Sequence, residues 1–378
     1  MTNPSLENTS YMLSERNEHA RRNIERILKS KWVSNYAADI LKTMMESELQ
    51  RRPIYYTSTQ IDQRPMLIQL CQRIARSFQL GRCAHHLAIN YLDRFLDFYT
   101  IRSDKLQLIA LTCMHIAAQI EHTDANVPRY SEMDRLIQSG YTALEFKTVE
   151  RKLLTFFDFK LIHPTVASFV EMFAYHLITI EDYFGYCLAI DGCSTTAAAE
   201  MKNYPRYNSF EQMLTQLVQL LLRMSDYTLT INRFSNEPPS MLAASCIAAT
   251  RQVSGVPKRW TPFLTDLTSY SEHMVEPYVD VIRLHHYLNE QSKAKGEQQQ
   301  QHPMEISWSS PDSGFGENLS VPQMEVVSVE VETFNVITVK LQAPRKPSSS
   351  VLKRDRDNDY GEEQQPKRLK VDQEQQKT

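Results

Sequence analysis

The sequence predicts an all-α protein built from two consecutive helical units, and three observations carry that prediction. From Trp32 to Leu288 apolar residues recur at three- and four-residue spacing, the period of a helix with one buried face. Strand-like alternation is absent over the same span. Short turns punctuate the series, and His163-Pro164-Thr165 divides it near the middle, because proline suits the first turn of a helix and not its interior.

Each element has its own signature. Residues 1–30 are polar and rich in Arg and Glu, which predicts a flexible extension with a possible helix through ARRNIERIL. Tyr36, Ile40 and Met44 form the first stripe. Met66, Leu67, Leu70, Ile74 and Phe78 form the second. HLAINYLDRFLDFYT, from His86 to Thr100, is apolar almost all round the helix yet contains Asp93, Arg94 and Asp97. Leu106, Ile109, Met114 and Ala117 follow, then Leu144, Val149, Leu153 and Phe157, which completes a unit over 31–161.

The second unit, over 162–290, opens with Phe169, Val170 and Phe173. Phe210, Met213, Leu214, Leu217, Leu221 and Met224 mark a long amphipathic helix. PPSMLAASCIAATRQV is a small-residue helix opened by two prolines, with room for close neighbours. Leu264, Leu267, Tyr270, Met274, Tyr278, Val279 and Ile282 end the series, giving about five helices per unit. Residues 291–378, with the Gln298–Gln301 run and few large apolar groups, predict a disordered tail. Within it VVSVEVETFNVITV (Val326–Val339) alternates like a strand, which could add to a partner's sheet edge or stay disordered.

Composition narrows the function. Only 9 glycines among 378 residues argue against nucleotide-binding loops, and a net charge of −3 gives no general case for nucleic-acid binding. The polar MTNPSLENTS start predicts no signal peptide. The longest apolar run, Met241–Ala249, is about half a membrane span. Cys71, Cys83, Cys113, Cys187, Cys193 and Cys246 form no CxxC pair and read as reduced core residues of an intracellular protein. His85-His86 and His285-His286 are adjacent rather than spaced by a helical turn, so they predict no metal site. No cofactor is implied and nothing supports catalysis.

LAINYLDRFLD resembles the second helix of the cyclin box. RPMLIQLCQRIARSFQL is similar to the first, KLQLIALTCMHIAAQIE to the buried third, and VERKLLTFFDFKLIHPT to the fifth and its exit into a second box. YAADILKTMMESELQ looks like the short helix that precedes the box in cell-cycle cyclins. The resemblance spans Trp32 to Leu288 and is strongest from Arg64 to Thr165. It implies two tandem five-helix cyclin boxes and a regulatory subunit that binds and activates a cyclin-dependent kinase. A transcription-associated cyclin and a divergent scaffold stay open as alternatives, and transcription factors and pocket proteins share the two-box architecture.

The resemblance also assigns residues. Arg64 and Asp93 match an Arg and Asp that pair between the first two box helices. An Asp on an apolar helix needs such a partner, since breaking a buried pair costs about 3–5 kcal/mol. Arg94 and Asp97 then face solvent or a loop. Glu150 falls on a family kinase-contact glutamate, whereas Gln119 stands where the family has lysine: it keeps a hydrogen-bond donor and loses the charge. The implied apolar contributors are Ile116, Ile120, Leu154, Phe159 and Leu161, with Tyr36 and Ile40 from the preceding helix; core packing is the alternative role for each. A peptide-docking patch would use Gln63, Arg64, Met66, Leu67, Leu70 and Gln107. Gln63 and Leu70 replace the family's Met and Trp, so weak docking is implied, on a patch that is mostly core and ordinary surface.

In the tail, KRDRDNDYGEEQQPKRLK sets Lys353-Arg354 apart from Lys367-Arg368 and Lys370 by a flexible acidic linker. That pattern predicts a bipartite nuclear import signal read by a carrier, hence a nuclear protein with a cytoplasmic pool; a solvated charge run is the alternative. Ser310-Pro311 and Asp312-Ser313-Gly314 match short phosphorylation and degron patterns that also arise by chance, and the N-terminal extension carries no clear RxxL destruction box.

Overall fold

The computed structural model describes residues 18, 21–28, 35–56, 59–121, 127–191 and 204–300, with Thr59 and residues 293–300 given by backbone alone. Among these residues every regular element is a helix. A lead helix, α1 (Ala37–Glu48), precedes a first bundle of α2 (Arg64–Ser77), α3 (Arg82–Phe98), α4 (Leu106–Glu121), α5 (Tyr130–Ile137) and α6 (Ala143–Phe156). A second bundle holds α7 (Val166–Phe173), α8 (Ile180–Asp191), α9 (Phe210–Thr230), α10 (Pro239–Val253), α11 (Pro262–Thr268) and α12 (Glu272–Gln300).

Local chemistry places the helix ends. Thr142 caps α6 by accepting from the Glu145 amide at 3.3 Å, and the Glu145 carboxylate accepts from the Thr142 amide at 2.9 Å. Thr165, just after the dividing proline, caps α7 through the Ser168 amide at 3.3 Å. Ser209 does the same for α9 through Gln212 at 3.1 Å. The last apolar series of the sequence splits in two because Ser269, at φ 63°, turns the chain out of α11 before α12 starts.

Each bundle is built round one buried helix. In the first, α4 packs against α2, α3, α5 and α6, with Leu111, Cys113, Met114 and Ala117 fully buried. In the second, α10 packs against α7, α9, α11 and α12, and its small Ala243, Ala244, Ala248 and Ala249 admit these neighbours closely. The bundles meet where α3 touches α7 and where α9 reaches α2 and α3.

The helix expected through ARRNIERIL is present over residues 21–28, and Ile24 and Ile27 are buried in the second bundle's core, so apolar burial orders this part of the extension despite its charged neighbours. At the other end α12 runs to Gln300, past the predicted limit at 290. Glu, Gln, Lys and Ala there are good helix formers with a single glycine among them. The tail motifs at 310–314, 326–339 and 353–370, and Cys193, lie outside the described residues. Cys71, Cys113 and Cys246 are buried free thiols, and Cys83 and Cys187 are half-buried free thiols.

Candidate functional site

The charges inside α3 resolve first. Arg64 donates from Nε to Asp93 Oδ1 at 2.7 Å and from Nη2 to Asp93 Oδ2 at 2.8 Å, a two-pronged pair between α2 and α3. Both residues are buried. Burial works to lower the guanidinium's pKa, but the hydrogen bonds and charge of Asp93, with Tyr56, together outweigh it and hold it above its ordinary value. The third prong crosses to the second bundle: Nη1 donates to the Leu229 carbonyl at 2.7 Å and to Asn232 Oδ1 at 2.9 Å. The neighbouring charges hold the segment after α1. Arg94 Nη1 donates to the Arg52 carbonyl at 3.1 Å, and Asp97 Oδ2 accepts from the Tyr55 amide at 3.1 Å.

The second bundle has a matching pair that sequence reading missed. Arg251 on α10 donates to both oxygens of Asp182 at 2.8 Å and also to the carbonyls of Leu177 and Lys258. The only sequence signal was an arginine in the small-residue helix. A further cross-tie joins α1 to α10: Glu48 accepts from the Ser240 amide at 3.0 Å and the Ser240 hydroxyl at 2.5 Å, placing a carboxylate at a helix N-terminus.

On this scaffold Glu150 lies half-buried on α6 beside α4. No salt bridge reaches it among the described residues. Its surroundings are instead aromatic. The Tyr130 hydroxyl is buried, and burial, then the Glu150 charge, raises its pKa. His115, on α4, is lowered by burial, with the hydrogen bond to Pro128 and the Glu150 charge opposing. Its ring lies 4.1 Å from that of Tyr130, which stacks on Phe146 at 4.4 Å. Sequence reading did not place Tyr130 or His115 here.

One turn beyond His115, Gln119 is exposed and Ile120 is 39 % exposed; one turn beyond Glu150, Leu154 is half-buried. The α6 helix then ends abruptly. Asp158 and Phe159 both take left-handed conformations, at φ 50° and 56°, which non-glycine residues adopt at a cost. The turn leaves the Phe159 ring 71 % exposed. Leu161 returns to the first bundle, half-buried, with its carbonyl accepting from the Tyr91 hydroxyl at 2.5 Å.

Three predicted contributors belong to the core instead. Ile116 is buried because it sits on the inner face of α4, so it supports the surface from beneath. Leu67 and Leu70 are likewise buried on the inner face of α2, and Arg64 is spent on Asp93. Of the docking patch, Gln63 and Met66 remain exposed and Gln107 half-exposed. On α1, Tyr36 is exposed and Ile40 half-buried, while Leu41, Met44 and Met45 pack on the second core. No hydrogen bond, ion pair or ring contact among the described residues ties Tyr36 or Ile40 to α4 or α6. No group of three metal-binding side chains occurs among them either, and no described helix is long and apolar enough to cross a membrane.

Comparison with known proteins follows this division. The cyclin N-terminal domain matches residues 39–162, and the cyclin C-terminal domain matches residues 194–312. Cyclin-J of Xenopus laevis is 26% identical over 264 residues, 68% of this chain and 63% of that protein. A cyclin-J-like protein of Mus musculus is 28% identical over 258 residues, 66% of this chain and 62% of its own length. Cyclin-A2-1 of Arabidopsis thaliana is 34% identical over 146 residues, 37% of this chain and 32% of that one. The chain thus spans under two thirds of the length of the first two relatives. The resemblance to cyclin J seen in the sequence agrees with the first two of these relatives. With both domains matched in tandem over two bundles of the expected helices, the chain belongs to the cyclin family.

Proposed function

We propose that this chain is the regulatory subunit of a cyclin-dependent kinase, binding it through α4, α6 and the turn after α6 and favouring its active arrangement. The observation that supports this best is the state of Glu150. It is a carboxylate held beside Tyr130 and His115, in no salt bridge among the described residues, and bordered by Gln119, Ile120, Leu154 and the exposed Phe159. A carboxylate so placed can accept from a partner's backbone or side-chain donors, and the apolar rim gives the contact area. Binding energy spent on one kinase conformation shifts its population, with no chemistry supplied by the cyclin.

Co-purification with a panel of cyclin-dependent kinases, followed by a kinase assay, tests the reading. At least one member should bind and gain activity, and Glu150→Lys should weaken that binding by about 10-fold or more, as loss of a hydrogen-bonded charge does. Absence of any bound and activated kinase refutes the function; unchanged binding by Glu150→Lys refutes the surface. Gln119→Lys should preserve or strengthen binding.

The import reading rests on the sequence of the tail alone. Deleting Lys367–Lys370 should move a fluorescent fusion from nucleus to cytoplasm, and an unchanged nuclear signal counts against the import signal.

A further inference from the structure

A cavity of about 600 Å³ opens between the segment after α1, the end of α3 and the exit from α6. Its walls carry Arg51, Arg52, Arg94, Lys160 and His163, against two acids, Asp97 and Asp158, and its apolar surface comes chiefly from Phe98, Phe156 and Phe157. The acids are engaged. Asp97 accepts from the Tyr55 amide, and Asp158 lies 3.1 Å from Lys160, both of them on the exposed rim.

Among the described residues the inner guanidiniums donate to neutral acceptors. Arg94 donates to Asn90 Oδ1 and to the Arg52 carbonyl, both neutral acceptors. Arg51 donates to the carbonyls of Glu237 and Ser235, and its Nε is buried without a partner. The nearby carboxylates are already committed, Asp93 to Arg64 and Glu48 to Ser240. Arg94 is pushed down to about 10 by burial and then by Arg51, and His163 down to about 4 by burial, Arg94 and Arg51. Two half-buried guanidiniums line one cavity, each donating only to neutral acceptors among the described residues, and so leave positive charge for a ligand to answer.

We propose that this cavity is a binding site for a phosphorylated side chain of a protein partner, with Arg94 and Arg51 meeting the phosphate, Arg52 and Lys160 framing it, and Phe98 and Phe156 packing against the flanking residues. The charge selects the ligand. A phosphomonoester carries close to two negative charges near neutral pH, matching two guanidinium charges, whereas one carboxylate would answer only one. The size selects a side chain and its neighbours rather than a duplex, and Phe98, 71 % exposed, offers contact area for an extended peptide. The inference concerns the free chain and does not depend on kinase binding.

The test uses the full chain and fluorescent short peptides with one fixed phosphoserine and degenerate flanks, read by anisotropy. Binding should be at least about 10-fold stronger than for the same library with serine or glutamate, a gap set by loss of a charge-assisted hydrogen bond. Arg94→Gln should abolish that gap. Because Arg94 also holds the Arg52 carbonyl, Arg52→Gln and Lys160→Gln serve as exposed variants that keep the fold, and together they should lower affinity and its salt dependence. Equal binding of phosphorylated and unphosphorylated libraries, or no loss in the exposed double variant, overturns the proposal. So does complete displacement by a single-stranded oligonucleotide at lower concentration than the phosphopeptide, which would make this a nucleic-acid site.

Discussion

His85 shows how one residue in α3 can set the acid tolerance of the whole chain. It is buried, its Nε2 has no hydrogen bond, and burial, followed by the adjacent His86, lowers it to about 4. The unfolded chain takes up a proton near 6.5 and the folded chain only near 4, so this residue's contribution is intact above 6.5 and is lost as pH falls towards 4. The interval corresponds to roughly 3 kcal/mol for a group this buried. His85→Gln should therefore narrow the difference in urea stability between pH 7 and pH 4.5 by about 2–3 kcal/mol. An unchanged difference would show that His85 is not the acid-sensitive group. From sequence, His85-His86 gave only the negative statement that adjacent histidines do not make a metal site.

At the scale of elements, the end of α6 joins stability to surface. Asp158 and Phe159 hold left-handed conformations without glycine, and Phe159 keeps most of its ring in solvent. Phe159→Gly should relieve the backbone, as glycine does after a helix, and raise unfolding stability by about 0.5–1 kcal/mol while weakening kinase binding. Denaturant melts and co-purification of the same variant measure the two effects; a fall in stability would show that the ring packs more than its exposure suggests. The helices themselves were legible as stripes of Leu, Met and Phe, because burial writes a period into sequence. The conformation of two residues after a helix leaves no such period. For Ile116, Leu67 and Leu70 the sequence left core and contact roles both open, and their burial decides for the core.

The whole molecule is tied together by Arg64, which holds Asp93 in its own bundle and Leu229 and Asn232 in the other. The two boxes should therefore unfold as one cooperative unit. With Trp32 and Trp308 changed to Phe, Trp260 in the second bundle reports that unit alone. Arg64→Met, which strands the buried Asp93, should lower the Trp260 transition and the far-UV transition together by about 3–5 kcal/mol. Asn232→Ala should cost about 1–2 kcal/mol in the same assay, the scale of one hydrogen bond to a charge. A Trp260 transition that stays put in Arg64→Met would mean that the boxes fold independently.

By itself the sequence determined the all-helical class, the helix break at His163-Pro164-Thr165 and the need for a guanidinium opposite Asp93. These follow from periodicity, proline geometry and the cost of unpaired buried charge, which act locally or between neighbouring helices. Only the tertiary structure decided that Arg64 also clamps the second bundle, that Glu48 caps α10, that Tyr130 and His115 flank Glu150, and that Arg51 and Arg94 share a cavity in which both donate to neutral acceptors. These arrangements join residues from up to 192 positions apart, and such a distance has no spacing that a linear reading can recognise.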